Sequence, residues 1–146
     1  MQSLGLLLHD VSRLLKAEFE RRTRETGLTL NQWRVLATLS RKGGQTQAAL
    51  AAAIEVSPMT VSDVIERLES QGLVQRAPDP LDSRAKRVTL TEAAVPVVAR
   101  ARDVANQVYA SALSGLSEPE RATMVHALTH IFDNLVAMAA TEQDVD

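Results

Sequence analysis

Residues 78–91 read Pro-Asp-Pro-Leu-Asp-Ser-Arg-Ala-Lys-Arg-Val-Thr-Leu-Thr, and they carry the most specific chemistry in the chain. Arg84, Lys86 and Arg87 put cations close together, as contact with nucleic-acid phosphates requires. Asp79, Pro80 and Asp82 are turn formers, and they set a tight loop before those cations. Strand-like runs flank the loop, Leu73-Val74-Gln75-Arg76-Ala77 before it and Lys86-Arg87-Val88-Thr89-Leu90 after it. The pattern predicts a β-hairpin whose tip and returning strand are basic. Asp82, Ser83, Arg84, Lys86 and Arg87 are its candidate DNA-binding residues.

Just upstream, Ser57-Pro58-Met59-Thr60-Val61-Ser62 opens a helix that should run to Gly72. Ser57 is a good N-cap, and Pro58 fits the first turn, where a missing N–H is not missed. Val61, Val64, Ile65 and Leu68 share one face and should pack on Leu50 and Ile54. The opposite face carries Met59, Thr60, Ser62, Asp63, Glu66 and Arg67. Its small, hydroxyl-rich start suits close approach to base edges in a major groove, and free N–H groups there would favour a phosphate. Ser57, Pro58, Met59, Thr60, Ser62, Asp63 and Arg67 are therefore the candidate reading residues. Asp63 has two readings: an ion pair with Arg67 four residues on, which the helical spacing favours, or a hydrogen bond from cytosine N4. A helix followed by a basic hairpin is how a winged helix-turn-helix meets DNA, although folds that bind protein use the same arrangement.

Other chemistries find little support. His126 and His130 stand four apart, a spacing that metal sites use, but no third ligand is near them in sequence. His9 is isolated, and no serine, histidine and carboxylate form a nucleophile arrangement. Gly43-Gly44 lacks the lysine and hydroxyl residue of a phosphate loop. The sequence contains no cysteine, which excludes disulfides and thiol redox chemistry and fits a reducing cytoplasm. No enzyme activity, cofactor or metal is expected.

The elements that position these residues are mostly helical. Leu4, Leu7, Leu8, Val11, Leu14 and Leu15 predict a first amphipathic helix over residues 3–26, stopped by Gly27. Thr29-Leu30-Asn31-Gln32 has the form of a capping box and starts a second helix ending before Gly43-Gly44. Thr46–Ile54 is a short third, and the helix from Ser57 a fourth. After the hairpin, Thr91 is expected to cap a fifth helix reaching about Ser114, with Pro96 in its second turn costing a hydrogen bond or a bend. Ser117-Glu118-Pro119-Glu120 opens a last helix to about Ala140, and residues 141–146 should fray.

With 146 residues the chain fits one domain with a core of its own, mainly α with a small β-hairpin wing. The net charge of −2 argues against bulk attraction to nucleic acid, so local charge at the hairpin must compensate. Its acidic residues gather instead at Glu18, Glu20, Glu25, Glu118, Glu120, Glu142, Asp144 and Asp146. No apolar run is long enough to span a bilayer, and Met1-Gln2-Ser3-Leu4 lacks the charged start of a signal peptide, so a cytoplasmic location is expected. Val97, Val98, Val104 and Val108, then Val125, Leu128, Ile131, Phe132, Leu135 and Val136, form wide apolar faces. The lobe at about 29–91 can cover only part of them, which points to a homodimer built from helices at about 3–26 and 92–140.

From about Leu4 to Ala139 the chain resembles the MarR family of bacterial transcriptional regulators, specifically its SlyA-like branch. The resemblance rests on the wing Asp79–Glu92, on Val64–Val74, on Leu30-Asn31-Gln32-Trp33 and on the intrahelical Pro96. It implies a winged-helix dimer on a pseudopalindromic operator, with recognition helices in successive major grooves and Arg84 in a flanking minor groove. A narrow minor groove attracts an inserted guanidinium, and Asp79 or Asp82 could orient it. Many relatives have a basic residue in place of Asp63. The resemblance further implies regulation, in the manner of a repressor, by a small aromatic or phenolic anion. Arg13 would pair its charge and Trp33 stack on its ring. On residue type alone Trp33 reads as core and Arg13 as a surface arginine.

Overall fold

The computed structural model describes residues 3–143. Residues 1–2 and 144–146 lie outside the described residues, and with them part of the Met1–Leu4 opening and of the acidic end. The chain divides into two compact units, one up to Val108 and one from Tyr109 onward.

In the first unit, α1 (Leu4–Thr23) is capped by Ser3, whose hydroxyl accepts from the Leu6 N–H at 3.3 Å. It continues as a 3₁₀ turn, Arg24–Thr26, and stops at Gly27. The expected capping box then opens α2 (Leu30–Lys42) in full: the Gln32 N–H donates to Thr29 Oγ1 and the Thr29 N–H to Gln32 Oε1. Next come β1 (Gln45–Thr46), α3 (Gln47–Ile54), α4 (Pro58–Ser70), β2 (Val74–Pro78) and β3 (Lys86–Leu90). The strands form an antiparallel sheet in the order β1-β3-β2, with Arg76 opposite Val88 and Thr46 opposite Arg87. The hairpin was expected and β1 was not, because two residues are too few to show an alternation.

The core lies among α2, α3, α4, the sheet and α5 (Ala94–Ala112). Leu36, Leu50, Ile65, Leu68 and Val88 are fully buried, and each apolar side chain so buried contributes roughly 1.5–3 kcal/mol. Val61, Val64, Ile65 and Leu68 of α4 turn inward against Leu50 and Ile54, as their spacing predicted, and so turn the opposite face outward.

The start of α5 departs from expectation. The Thr91 hydroxyl does not cap the helix; it donates to the Gly72 carbonyl at 2.6 Å, while the Thr91 N–H donates to Leu73 O. The helix begins at Ala94, so Pro96 sits in its first turn, where no intrahelical N–H bond is lost. The apolar face of α5 is also less available than expected. Ala94, Val98, Ala101, Ala105 and Val108 are buried within the first unit, partly against Phe19 and Leu30.

In the second unit, Gly115 precedes α6 (Glu118–Gln143). Glu120 accepts from both the N–H and the hydroxyl of Ser117 at 2.7 Å, the side-chain half of the expected box. The helix extends past Ala140 through residues 141–143, which were expected to fray. Exposed apolar side chains line α1 (Leu4, Leu7, Val11, Leu14) and α6 (Val125, Phe132, Leu135, Met138). Among the described residues no single helix is long and apolar enough to cross a membrane.

Candidate nucleic-acid interface

The helices α3 and α4 are bent by 109° across a three-residue turn, Glu55–Ser57. Glu55 makes that bend at φ 56°, a left-handed conformation unusual for a side chain of its size. Its N–H closes α3 on the carbonyls of Ala51 and Ala52. Two helices at about 90–120° joined by three or four residues make a helix-turn-helix, the second helix being the one offered to a groove.

That second helix starts as Ser57 dictates. The Thr60 N–H donates to Ser57 Oγ at 3.1 Å, and the two hydroxyls are 2.9 Å apart. The Val61 N–H goes to Ser57 O, and Pro58 has none. Among the described residues this leaves only the Met59 N–H of the first turn for a phosphate, fewer than the sequence suggested. Met59 itself is 78 % exposed. Ser62 and Thr60 are half-buried, and Asp63, Glu66 and Arg67 are exposed. The expected Asp63–Arg67 ion pair does not form among the described residues. Both groups instead line a cleft of about 280 Å³ at the start of α2, with Thr29, Asn31, Gln32, Thr60 and Val64.

The wing is built by its aspartates. Asp79 is buried: Oδ1 accepts from the Leu81 N–H at 2.7 Å and Oδ2 lies 3.7 Å from Arg87 Nη1. Asp82 Oδ1 accepts from the Arg84 N–H at 3.0 Å and lies 3.6 Å from Arg84 Nε. Each carboxylate thus folds the turn two residues ahead of it, as aspartate does in an Asx turn. The Asp79 N–H donates to Ala85 O and closes the loop. The result separates the cations: Arg87 is held at the base of the wing, whereas Arg84 is 93 % exposed and Ser83 and Lys86 are exposed beside it. Gly44 is required beneath Arg87, since a Cβ there would lie 2.9 Å from both Arg87 Nε and Thr89 Cγ2.

Arg76 locks the wing to α4. Its main-chain N–H donates to Glu69 Oε2 at 3.0 Å, its Nε and Nη2 donate to Oε1, and its Nη1 reaches Gln47 Oε1 of α3. The hydrogen bonds from Arg76 hold the Glu69 carboxyl below its ordinary range. Sequence reasoning missed this tie, although a charged residue between Val74 and Val88 on a buried-facing register was a signal for it.

Trp33 and Arg13 are not brought together as a ligand pair. Arg13 is exposed on α1, 3.5 Å from Asp10. Trp33 packs partly on both apolar clusters and lines a separate cleft of about 540 Å³ with Arg34, Ala37, Thr38, Arg41, Glu55 and Arg102. Arg34 and Arg41, seven apart on α2, were a legible signal; Arg102 arrives from α5 and was not. His126 and His130 lie on α6, and no group of three His, Cys, Asp or Glu suited to a metal occurs among the described residues.

The MarR family model matches residues 28–86, which span the helix-turn-helix, β2 and the wing loop up to the first residue of β3. Among solved structures the chain is similar to Bordetella bronchiseptica BpsR, whose DNA binding is regulated by 6-hydroxynicotinic acid. The two share 30% identity and a TM-score of 0.78, over 90% of this chain and 94% of that one. This chain belongs to the MarR family. It is also similar to S. aureus MepR in a complex with DNA, with 25% identity and a TM-score of 0.78, over 92% of this chain and 99% of that one. Wild-type E. coli MarR, at 23% identity, shares the fold with a TM-score of 0.80 over 90% and 97% of the two chains. MarR-family members are transcriptional regulators and not enzymes.

Proposed function

We propose that this protein is a sequence-specific DNA-binding repressor of the SlyA-like branch. It acts as a homodimer on an inverted repeat and works in the cytoplasm, where its DNA is. The observation that carries the reading is the pairing of an outward-facing α4 with a wing tied to it through Arg76 and Glu69. That tie fixes the spacing between a major-groove reader (Ser57, Pro58, Met59, Thr60, Ser62, Asp63, Arg67) and a minor-groove cation (Arg84, with Asp82, Ser83 and Lys86 around it). Arg87 is the remaining wing cation, oriented by Asp79 and still partly exposed to a phosphate. The exposed apolar faces of α1 and α6 support a dimer, since patches of this kind mark association surfaces. The DNA-bound MepR structure supports the same use of the fold.

Release by a small aromatic or phenolic anion is supported by the Trp33 cleft, which Arg34, Arg41 and Arg102 also line. Regulation of BpsR by an aromatic acid is in keeping with this. Arg13 would serve such a ligand only if the dimer carries it to that cleft. The effector would change the separation of the two α4 helices from one duplex turn, roughly 34 Å.

Selection of bound duplexes from a random pool tests the function. An inverted repeat whose affinity falls steeply with added salt supports it. A chain that selects no duplex, or whose binding partner is a protein held by salt-insensitive apolar contact, refutes it.

A further inference from the structure

We propose that Asp63 is a specificity-determining residue: its carboxylate accepts a hydrogen bond from the N4 amino group of a cytosine, fixing one base in each half-site. The inference rests on the DNA-binding function proposed above. It begins from an imbalance on α4. Met59, Asp63, Glu66 and Arg67 fall on one outward stripe, and carboxylates there oppose every phosphate they approach.

Neighbouring side chains do not neutralise Asp63. It has neither a hydrogen bond nor an ion pair among the described residues, and Arg67, one turn on, lines the same cleft without pairing to it. Glu69 on the same helix shows the contrast, for its two oxygens are occupied by Arg76. An ionised carboxylate only accepts hydrogen bonds, so in a major groove it can use only the amino groups of cytosine or adenine. Adenine sets its N7 acceptor beside N6, which repels a second acceptor. Adenine N6 thus lies between two acceptors, its own N7 and the paired thymine's O4, whereas cytosine N4 has one on a single side, the paired guanine's O6, so cytosine is the better match.

Position selects Asp63 over Glu66. Residues near the start of a recognition helix reach base edges, and Asp63 lies about 8 Å from Pro58 along the axis, about 4.5 Å closer than Glu66. Met59 stands one turn before Asp63, at a Cβ separation of about 6 Å. Its exposed, apolar side chain fits a thymine methyl group, so the cytosine should have a thymine within about two base pairs.

The test repeats the duplex selection with the full-length chain and with Asp63→Asn, Asp63→Ala and Glu66→Gln. The unmodified chain should enrich an inverted repeat with an invariant cytosine in each half-site, preferred about tenfold or more over other bases. Asp63→Asn should replace that cytosine by adenine, which an amide binds through N6 and N7, and leave the rest of the site unchanged. Asp63→Ala should lose preference at that position alone, and Glu66→Gln should keep the original sequence. If Asp63→Asn binds the original sequence, merely more tightly, Asp63 is only a repulsive charge and the proposal is overturned. A change of sequence in Glu66→Gln instead overturns it too. If the unmodified chain enriches no duplex, the DNA-binding function itself falls, and the base assignment with it.

Discussion

Replacing Arg84 by alanine removes one guanidinium from the wing and little else. The side chain is 93 % exposed, and its one ion pair, with Asp82, is 3.6 Å long and in solvent. The turn is held by main-chain N–H bonds to Asp79 and Asp82, which alanine at position 84 leaves in place. The thermal melt should therefore superimpose on that of the parent. DNA affinity should not. A charged hydrogen bond contributes roughly 1.5–3 kcal/mol, so losing it at one wing alone weakens binding by about tenfold or more. Each phosphate neutralised steepens the dependence of log K on log salt by roughly 0.9, and a dimer with two such wings loses roughly 1.8 from that slope. Between about 50 and 200 mM salt, the parent should then lose roughly twelvefold more affinity than the variant. Fluorescence anisotropy on a selected duplex across that range measures both quantities. An unchanged slope with unchanged affinity would show that the wing does not enter the DNA. A lowered melt would show instead that Arg84 holds the wing together.

Gly44→Ala places a Cβ 2.9 Å from Thr89 Cγ2, which cannot swing aside as the Arg87 side chain can. A loss of about 1–3 kcal/mol by urea unfolding is expected, together with weaker DNA binding as Arg87 leaves Asp79. Glu55→Gly should stabilise the chain by about 0.5–1 kcal/mol, because left-handed backbone costs a side-chain-bearing residue roughly 1–2 kcal/mol and glycine's extra chain entropy takes back part of it. A loss of stability in the same unfolding experiment would contradict the strain at that turn. Acid should weaken the fold through carboxyls whose pKa is depressed. Hydrogen bonds from Arg21 and Arg22 hold Glu18 at about 2, and Arg76 and Ser117 lower Glu69 and Glu120 respectively. Their contribution is complete above the ordinary carboxylate value near 4.5 and disappears as the pH falls toward 2. Urea midpoints at pH 7 and pH 3 should therefore differ by less in Glu69→Gln than in the parent; an equal difference would remove Glu69 from the cause.

The legible parts of this molecule are those fixed by neighbours in sequence. The Thr29–Gln32 capping box, Ser57 with Pro58, the inward stripe Val61, Val64, Ile65 and Leu68, and the hairpin flanking Asp79 and Asp82 all depend on residues within a turn or two of each other. What could not be read depends on distant partners. β1 exists because Gln45 and Thr46 meet Val88 and Arg87, and Thr91 leaves its helix because the Gly72 carbonyl is within reach. Pro96 would cost a hydrogen bond in a helix capped by Thr91, and it costs none in one that begins at Ala94. Asp63 and Arg67 had the spacing of an ion pair but not the contact, since two exposed side chains gain little from being held together. The tie between Arg76 and Glu69 and the arrival of Arg102 beside Trp33 belong to the same class of long-range packing.

Hydroxyl-radical footprinting of the protein on a selected duplex addresses the geometry directly. Two protected tracts related by a dyad and centred about one helical turn apart should appear, with flanking minor-groove cuts suppressed in the parent and restored in Arg84→Ala. A single tract without dyad symmetry, or flanks indifferent to position 84, would contradict a paired α4 and wing reading adjacent grooves.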